Sequence, residues 1–202
     1  MEVSIIIPYN LDRGYLAKAV ETARHQTIAV NVILAHSSGT CAQNLADGLE
    51  KVTTPYYCVL AEDDWLSPDF CETMLAAITR AKCAAVCGNG IHEGDTATIY
   101  ESIPPVSLKM LLSKNSIHGG TVIYNTELVR AVGGYDRTLI TAEELDLHYK
   151  LLAAGMCIAY EPYAGYHYRR HNEQKSRVKG DRRNARIDCI QKIRKQYESA
   201  VH

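Results

Sequence analysis

Near its start the chain carries Val3-Ser4-Ile5-Ile6-Ile7, a short β-branched run that is apolar on both faces and is stopped by Pro8. A strand with no polar face must be covered on both sides, and such strands occur almost only in parallel sheets flanked by helices. The following residues repeat that demand. Tyr15, Leu16, Ala19, Val20 and Ala23 recur at helical spacing over residues 14–26, and a second apolar run occupies residues 30–35. A helix is expected over 41–51, a strand over 56–61, a helix opened by Ser67-Pro68, and a fourth strand over 84–87. Ser suits the N-cap and Pro the first helical position. Strands alternating with helices at this rhythm predict an α/β fold with a Rossmann-like, mostly parallel sheet, helices on both faces, and ligands at the carboxyl ends of the strands.

Beyond residue 87 the pattern loosens. Residues 88–94 read as turns, 96–100 as an edge strand, and Pro104-Pro105 precedes a short helix. Order returns over 119–124, followed by a short helix ending at Gly133-Gly134 and a longer one over 142–154 with Gly155 as its C-cap. The start of that longer helix, Thr141-Ala142-Glu143-Glu144, fits a capping box. Residues 157–168 are strand-like, and a helix over 181–200 sets Ile187, Ile190, Ile193 and Tyr197 on one stripe among Arg and Lys.

The 202 residues suit one generous domain, or a domain with an appended segment. With 47% apolar and 22% charged residues the chain can bury a core and is no disordered tract. Its net charge of −1 gives no overall pull toward nucleic acid. The charge is unevenly spread: from Arg169 onward 11 Lys and Arg face 4 Asp and Glu, whereas the preceding part has 11 against 19. Seven cysteines, scattered and without a Cys-x-x-Cys pair, suggest reduced thiols rather than a disulfide framework or a zinc site. No basic leader precedes the first strand and no apolar run reaches ~20 residues, so a cytoplasmic protein is expected.

Chemistry concentrates at Glu62-Asp63-Asp64, directly after the strand over 56–61. Like charges at a strand end repel one another unless a cation sits among them. A hard divalent ion, Mn²⁺ or Mg²⁺, held by carboxylates and shared with substrate phosphates would meet that cost. A solvated acidic loop is the competing reading.

The stretch Val3-Ser4-Ile5-Ile6-Ile7-Pro8-Tyr9-Asn10 resembles the opening motif of glycosyltransferase family two, inverting nucleotide-sugar transferases of GT-A fold. Ala61-Glu62-Asp63-Asp64-Trp65-Leu66-Ser67-Pro68 resembles that family's acidic metal motif, Gly119-Gly120 through Gly133-Gly134-Tyr135-Asp136 its glycine-rich strand and helix, and Glu143-Glu144-Leu145-Asp146-Leu147 its Glu-Asp-x-Asp-Leu. Four motifs in family order cover most of residues 1–171.

The resemblance implies transfer of a sugar from a nucleotide diphosphate donor to a hydroxyl of a glycan or lipid-linked acceptor, with Mn²⁺ or Mg²⁺ as cofactor and no nucleic-acid partner. It assigns the metal to Asp64 and His171, and the donor to Pro8, Tyr9, Asn10, Arg13, His36, Asn44, Glu62, Asp63, Arg169 and Arg170. Glu144 falls at the family's catalytic base, where a capping-box role competes. Glu143 and Asp146 are the next carboxylates in line. Trp65, Gly119, Gly120 and Glu143 belong to the acceptor side, Trp65 either stacking on a sugar or packing beside the Ser67 helix. Arg169 and Arg170 either fork onto phosphate or merely offset the acidic body.

Two departures from the family stand out. Ile33-Leu34-Ala35-His36-Ser37-Ser38 lacks the acid that relatives use to read the nucleotide base, and Glu-Asp has become Glu143-Glu144. The alternative function is therefore a decayed module that binds nucleotide sugar or glycan without turnover. A nucleotidyltransferase would want a glycine-rich phosphate loop after the first strand, and residues 8–14 are not one. The expected layout is a transferase domain over 1–180, with a nucleotide half over 1–100 and an acceptor half over 101–180. A basic amphipathic helix over 181–202 is expected to dock on the domain in preference to resting on a membrane surface.

Overall fold

Strand β1 (Val3–Tyr9) is buried from Val3 to Pro8, as its two-faced apolar run requires. It pairs in parallel with β2 (Val30–His36) on one side and β3 (Tyr56–Val59) on the other. Its side chains alternate between two cores. Ile6 joins Leu45 and Leu49 of α2 (Cys41–Glu50) on one face. Val3, Ile5 and Ile7 join Ala19 of α1 (Leu16–Arg24) and Phe70 and Met74 of α3 (Phe70–Ala81) on the other. The computed structural model describes residues 1–94, 96–102, 104, 106–171, 174 and 180–201.

The sheet continues through β4 (Trp65–Leu66), β5 (Ala85–Glu93), β6 (Thr98–Tyr100), β7 (Val122–Asn125) and β8 (Ile158–Arg169), in the order β2-β1-β3-β7-β5-β8-β4 with β6 on the edge of β5. Because β7 is antiparallel to both β3 and β5, and β8 is parallel to β5, strands β1, β2, β3, β5 and β8 point the same way. Their carboxyl ends line one edge of the sheet, and the acidic motif sits there. Helices α4 (Leu108–Ser113), α5 (Thr126–Ala131), α6 (Glu143–Ala153) and α7 (Asp181–Tyr197) complete the fold.

Several expectations are corrected. Residues 88–93 continue β5 instead of turning. A Cβ on Gly88 would lie 2.8 Å from the Tyr163 carbonyl oxygen, so that glycine allows β8 to approach closely. Strand β2 is only half-buried because it forms the sheet edge. Helix α3 starts after Asp69, and Ser67 Oγ pairs with His167 Nε2 at 3.0 Å rather than capping. At α6 the capping box is absent: Ala142 is the N-cap, in the left-handed region at φ 64°, with no side-chain cap. The capping box that does form is at α2, between Thr40 and Gln43, at 3.2 and 2.8 Å.

The cysteines also differ from expectation. Cys83 and Cys157 form a disulfide with Cα atoms 5.2 Å apart, and five thiols remain free. The parallel pairing of β5 with β8 brings together residues 74 apart in sequence. Closing a loop of that length stabilises a fold by about 4 kcal/mol.

Helix α7 docks. Ile193 is buried, and Cys189, Ile190 and Tyr197 pack on the core that contains Leu145, Leu147 and Tyr149 of α6. Ile187 is 41% exposed and lies off that contact.

Candidate active site

At the carboxyl end of β3 the chain turns through Glu62, Asp63 and Asp64, closed by a bond from the Asp64 N–H to the Ala61 carbonyl at 3.2 Å. Asp64 points inward and is 1% exposed. Its Oδ2 accepts the Tyr166 hydroxyl at 2.6 Å and its Oδ1 accepts the Arg169 N–H at 2.8 Å. Burial, with Asp63 adding to it, holds its carboxyl well above the usual carboxylate range. Both oxygens assigned to a metal are thus engaged in joining the acidic motif to β8. The carboxylate that faces outward is Asp63, whose Oδ2 lies 2.8 Å from His171 Nε2. Glu62 meets Arg13 at 2.8 Å, and burial raises its carboxyl pKa, with Asp63 contributing.

A divalent cation that completes its shell with substrate phosphate and water needs only one or two protein ligands. Asp63 and His171 supply an oxygen and a nitrogen at one point, next to two further carboxylates, and that donor set suits Mn²⁺ or Mg²⁺. Among the described residues no group of three or more His, Cys, Asp or Glu side chains is arranged to hold a metal unaided.

The end of β8 locks this motif in place. Arg169 Nε donates to the Asp63 carbonyl at 2.8 Å, and its guanidinium lies between the Tyr15 and Trp65 rings, 4.7 and 4.8 Å from their centroids. Arg169 therefore braces the loop through its Nε and its two ring contacts. Trp65 stacks on His167 at 5.3 Å, so its ring is held between His167 and Arg169. Arg170 is exposed, with its N–H bonded to the Glu93 carbonyl at 3.1 Å.

The expected nucleotide residues gather at the ends of β1 and β2. Tyr9 stacks on His36 at 4.6 Å, and Asn10 donates to the Gly39 carbonyl at 2.6 Å. Asn44 is fully buried and donates to the Tyr9 carbonyl at 3.0 Å. It shapes this end of the sheet from beneath. Pro8, also buried, sits where pairing to β3 has already stopped at Ile6. Arg13 reaches across to the acidic motif.

On the acceptor side, Gly119 and Gly120 are glycines because of what lies on them. A Cβ at Gly119 would stand 2.9 Å from Glu144 Cγ, and one at Gly120 only 2.2 Å from Tyr166 Cζ. Tyr166, missed in the sequence, links Asp64 to the glycine pair that supports Glu144. Its sequence signal is its place at the head of Tyr166-His167-Tyr168-Arg169-Arg170-His171, on a strand that ends beside the acidic motif. Glu143 is buried. Asp146 is buried as well, ion-paired to Lys150 at 3.0 Å and accepting the Tyr197 hydroxyl at 3.1 Å. It anchors α7, while Glu144 is the half-buried carboxylate of this helix start.

Residues 30–121 match the family model described as glycosyl transferase family 2. No curated protein matches the sequence significantly. Among solved structures, S. aureus TarS 1-349 in complex with UDP-GlcNAc superposes with a TM-score of 0.70 at 14% identity, over 86% of this chain and 60% of that one. The mannosyltransferase PcManGT from Pyrobaculum calidifontis, in complex with GDP-Man and Mn²⁺, gives 0.60 at 13% identity, over 81% and 56%. The chain thus spans about three fifths of the length of these structures. At such identities the likeness establishes the fold, which is the GT-A fold of glycosyltransferases. The sequence match to the family model is confined to residues 30–121, whereas the likeness in fold covers 86% of the chain.

Proposed function

We propose that this protein is a metal-dependent, inverting glycosyltransferase that moves a sugar from a nucleotide diphosphate donor to an acceptor hydroxyl. One observation carries the reading: a continuous run of contacts, Asp64 to Tyr166 to Gly120, with Gly119 next to it against Glu144, joins the acidic motif to the candidate base. The two halves of a displacement reaction are thereby held in fixed relation.

Asp63 and His171 would hold Mn²⁺ or Mg²⁺, whose contribution is to neutralise the departing diphosphate. Tyr9, Asn10 and His36 face the nucleotide, and Arg13 keeps Glu62 beside it. Glu144 accepts the proton of the acceptor hydroxyl as its oxygen attacks the anomeric carbon from the side opposite the leaving group, which inverts configuration.

The test is thermal stability against a panel of UDP- and GDP-sugars with and without Mn²⁺, followed by transfer assays. A ligand that binds only the folded state raises its melting temperature by mass action. Donor binding should require the cation and be lost in Asp63→Asn and His171→Ala. Glu144→Gln should keep donor binding and lose turnover by roughly 100-fold or more. Full turnover in excess EDTA would overturn the metal assignment, and donor binding with no transfer by the wild type would make the chain a binding module.

A further inference from the structure

Strand β2 ends the sheet on one side. It pairs in parallel with β1 along all seven of its residues, and among the described residues no strand lies on its outer edge. A row of unpaired backbone N–H and C=O groups invites a further strand, and natural edges discourage one with Lys, Pro, a bulge or an inward charge. None of those devices is present here. Val30-Asn31-Val32-Ile33-Leu34-Ala35-His36 contains no Pro, Lys, Arg, Asp or Glu, and its register with β1 runs without a shift. Leu34 stands on this edge 40% exposed.

The flank of α1 above the edge lacks a neighbour too. Helix α1 packs over β1 and β2, and its Leu16 and Val20 join the same core as Val30 and Val32. Beside them an open groove of about 510 Å³ follows the helix, walled only by residues between Asp12 and His25. Its charges are ordered along its length, with Asp12 ahead of the helix and Arg24 and His25 at the far end. Arg24 is exposed, and no carboxylate of the described residues pairs with it.

We propose that a second copy of this chain pairs with β2, edge to edge and antiparallel, about a two-fold axis through Ile33. That axis is perpendicular to the sheet, so α1 of one copy comes alongside α1 of the other, running in reverse. The register sets Val32 opposite Leu34, Asn31 opposite Ala35 and Val30 opposite His36. Alternation places Val30, Val32 and Leu34 on the α1 face, where Leu34 is covered by Val32 of the second copy. Paired strands lie ~4.8 Å apart and packed helices ~8–10 Å apart, so a helix lying over the two outermost strands can reach its copy.

Charge is what selects a copy over a foreign strand. Reversal brings the Arg24 end of one flank to the Asp12 end of the other, so opposite charges meet twice in each dimer. A flank that complements itself on reversal is what a two-fold contact requires. The pairing also closes. The sheet's other free edges belong to β4, of two residues, and β6, of three, so each copy offers one strand long enough and no fibre can grow. The dimer does not depend on the transferase reading.

The experiment is sedimentation velocity on the full chain over a concentration series, with hydrogen exchange read by mass spectrometry on the same samples. The chain of 22.5 kDa should reach twice that mass as concentration rises, and the peptide covering residues 30–36 should gain protection in step with it. Leu34→Lys places a charge in the apolar pair and should raise the dimer's dissociation constant roughly ten-fold or more, with the circular dichroism of the wild type retained. Asp12→Lys and Arg24→Glu should each weaken the dimer, and the double variant should recover it, because the exchanged charges are again complementary. A mass of 22.5 kDa at every soluble concentration would overturn the proposal. So would a dimer that leaves residues 30–36 unprotected, one that survives Leu34→Lys, one that the double variant does not recover, or species that grow past two copies. Protection of residues 30–36 that does not change with concentration would mean that the edge is covered within one chain, and would overturn it as well. The wild-type exchange data decide the matter even if a variant fails to fold.

Discussion

Replacing Gly120 by alanine tests the contact on which the site depends. The added Cβ would lie 2.2, 2.4 and 2.7 Å from Tyr166 Cζ, Cε2 and Cε1. Non-bonded carbons settle at ~3.5–4.0 Å, so the ring must retreat by more than ~1 Å. It has no free room to do so, because its hydroxyl is tied to Asp64 Oδ2 at 2.6 Å and accepts the Ala61 N–H at 3.3 Å. Overpacking a filled interior costs about 1–3 kcal/mol, and leaving a buried hydrogen-bond partner unsatisfied about 1–3 kcal/mol. We expect Gly120→Ala to destabilise the protein by about 2–6 kcal/mol, measured by urea unfolding followed by circular dichroism. Tyr166→Phe, which removes the hydroxyl alone, should cost about 1–3 kcal/mol. The two changes share a partner, so the double variant should lose less than the sum. A cost below about 1 kcal/mol for Gly120→Ala, or strict additivity, would refute the argument that Tyr166 is clamped between the glycine and Asp64.

Three further outcomes are expected. Gly119→Ala crowds a flexible side chain, Glu144, rather than a ring, so stability should change by less than about 1 kcal/mol while turnover falls roughly ten-fold; equal activity would remove Glu144 from the reaction. His148 is buried, bonded through Nε2 to the Tyr124 hydroxyl at 2.9 Å, and burial pushes its pKa down to about 3. Between that value and about 6.5 the unfolded chain binds a proton that the folded chain does not, so this residue's contribution is intact above about 6.5 and erodes as pH falls. The stability difference between wild type and His148→Phe should therefore shift against the wild type by about 1.4 kcal/mol per pH unit over that window, and a pH-independent difference would count against a neutral buried imidazole. Finally, Cys83→Ser should lower stability by about 2–4 kcal/mol under non-reducing conditions and by much less in dithiothreitol; equal loss in both would mean that no bond forms.

Strand β1 was readable because nothing but a covered parallel strand accepts Val3 to Ile7, and the acidic motif because three carboxylates in a row at a strand end have few structural uses. What escaped depends on distance along the chain. Gly88 and Gly90 look like turn residues until β8 is seen lying against them. Asp64 and Asp63 cannot be told apart by sequence, because their roles are set by Tyr166 and Arg169, more than 100 positions away. The capping box expected at Thr141 failed for a local reason: Ala142 takes a left-handed conformation, so the helix starts one residue later and Glu144 is no longer its third residue.

Helix α7 divides its residues between two duties that do not interfere. Ile193, Ile190, Cys189 and Tyr197 attach it to α6, and Asp146 receives its last polar contact. Arg183, Lys192 and Lys195 are exposed. Their side chains can vary without repacking the interior, although Lys192 helps to hold the Asp136 carboxyl below its ordinary value. The basic end of an otherwise acidic molecule is an adjustable surface, and exchanging those three positions for glutamate would redraw the electric field around the protein while leaving α6, and the Glu144 it carries, where it stands.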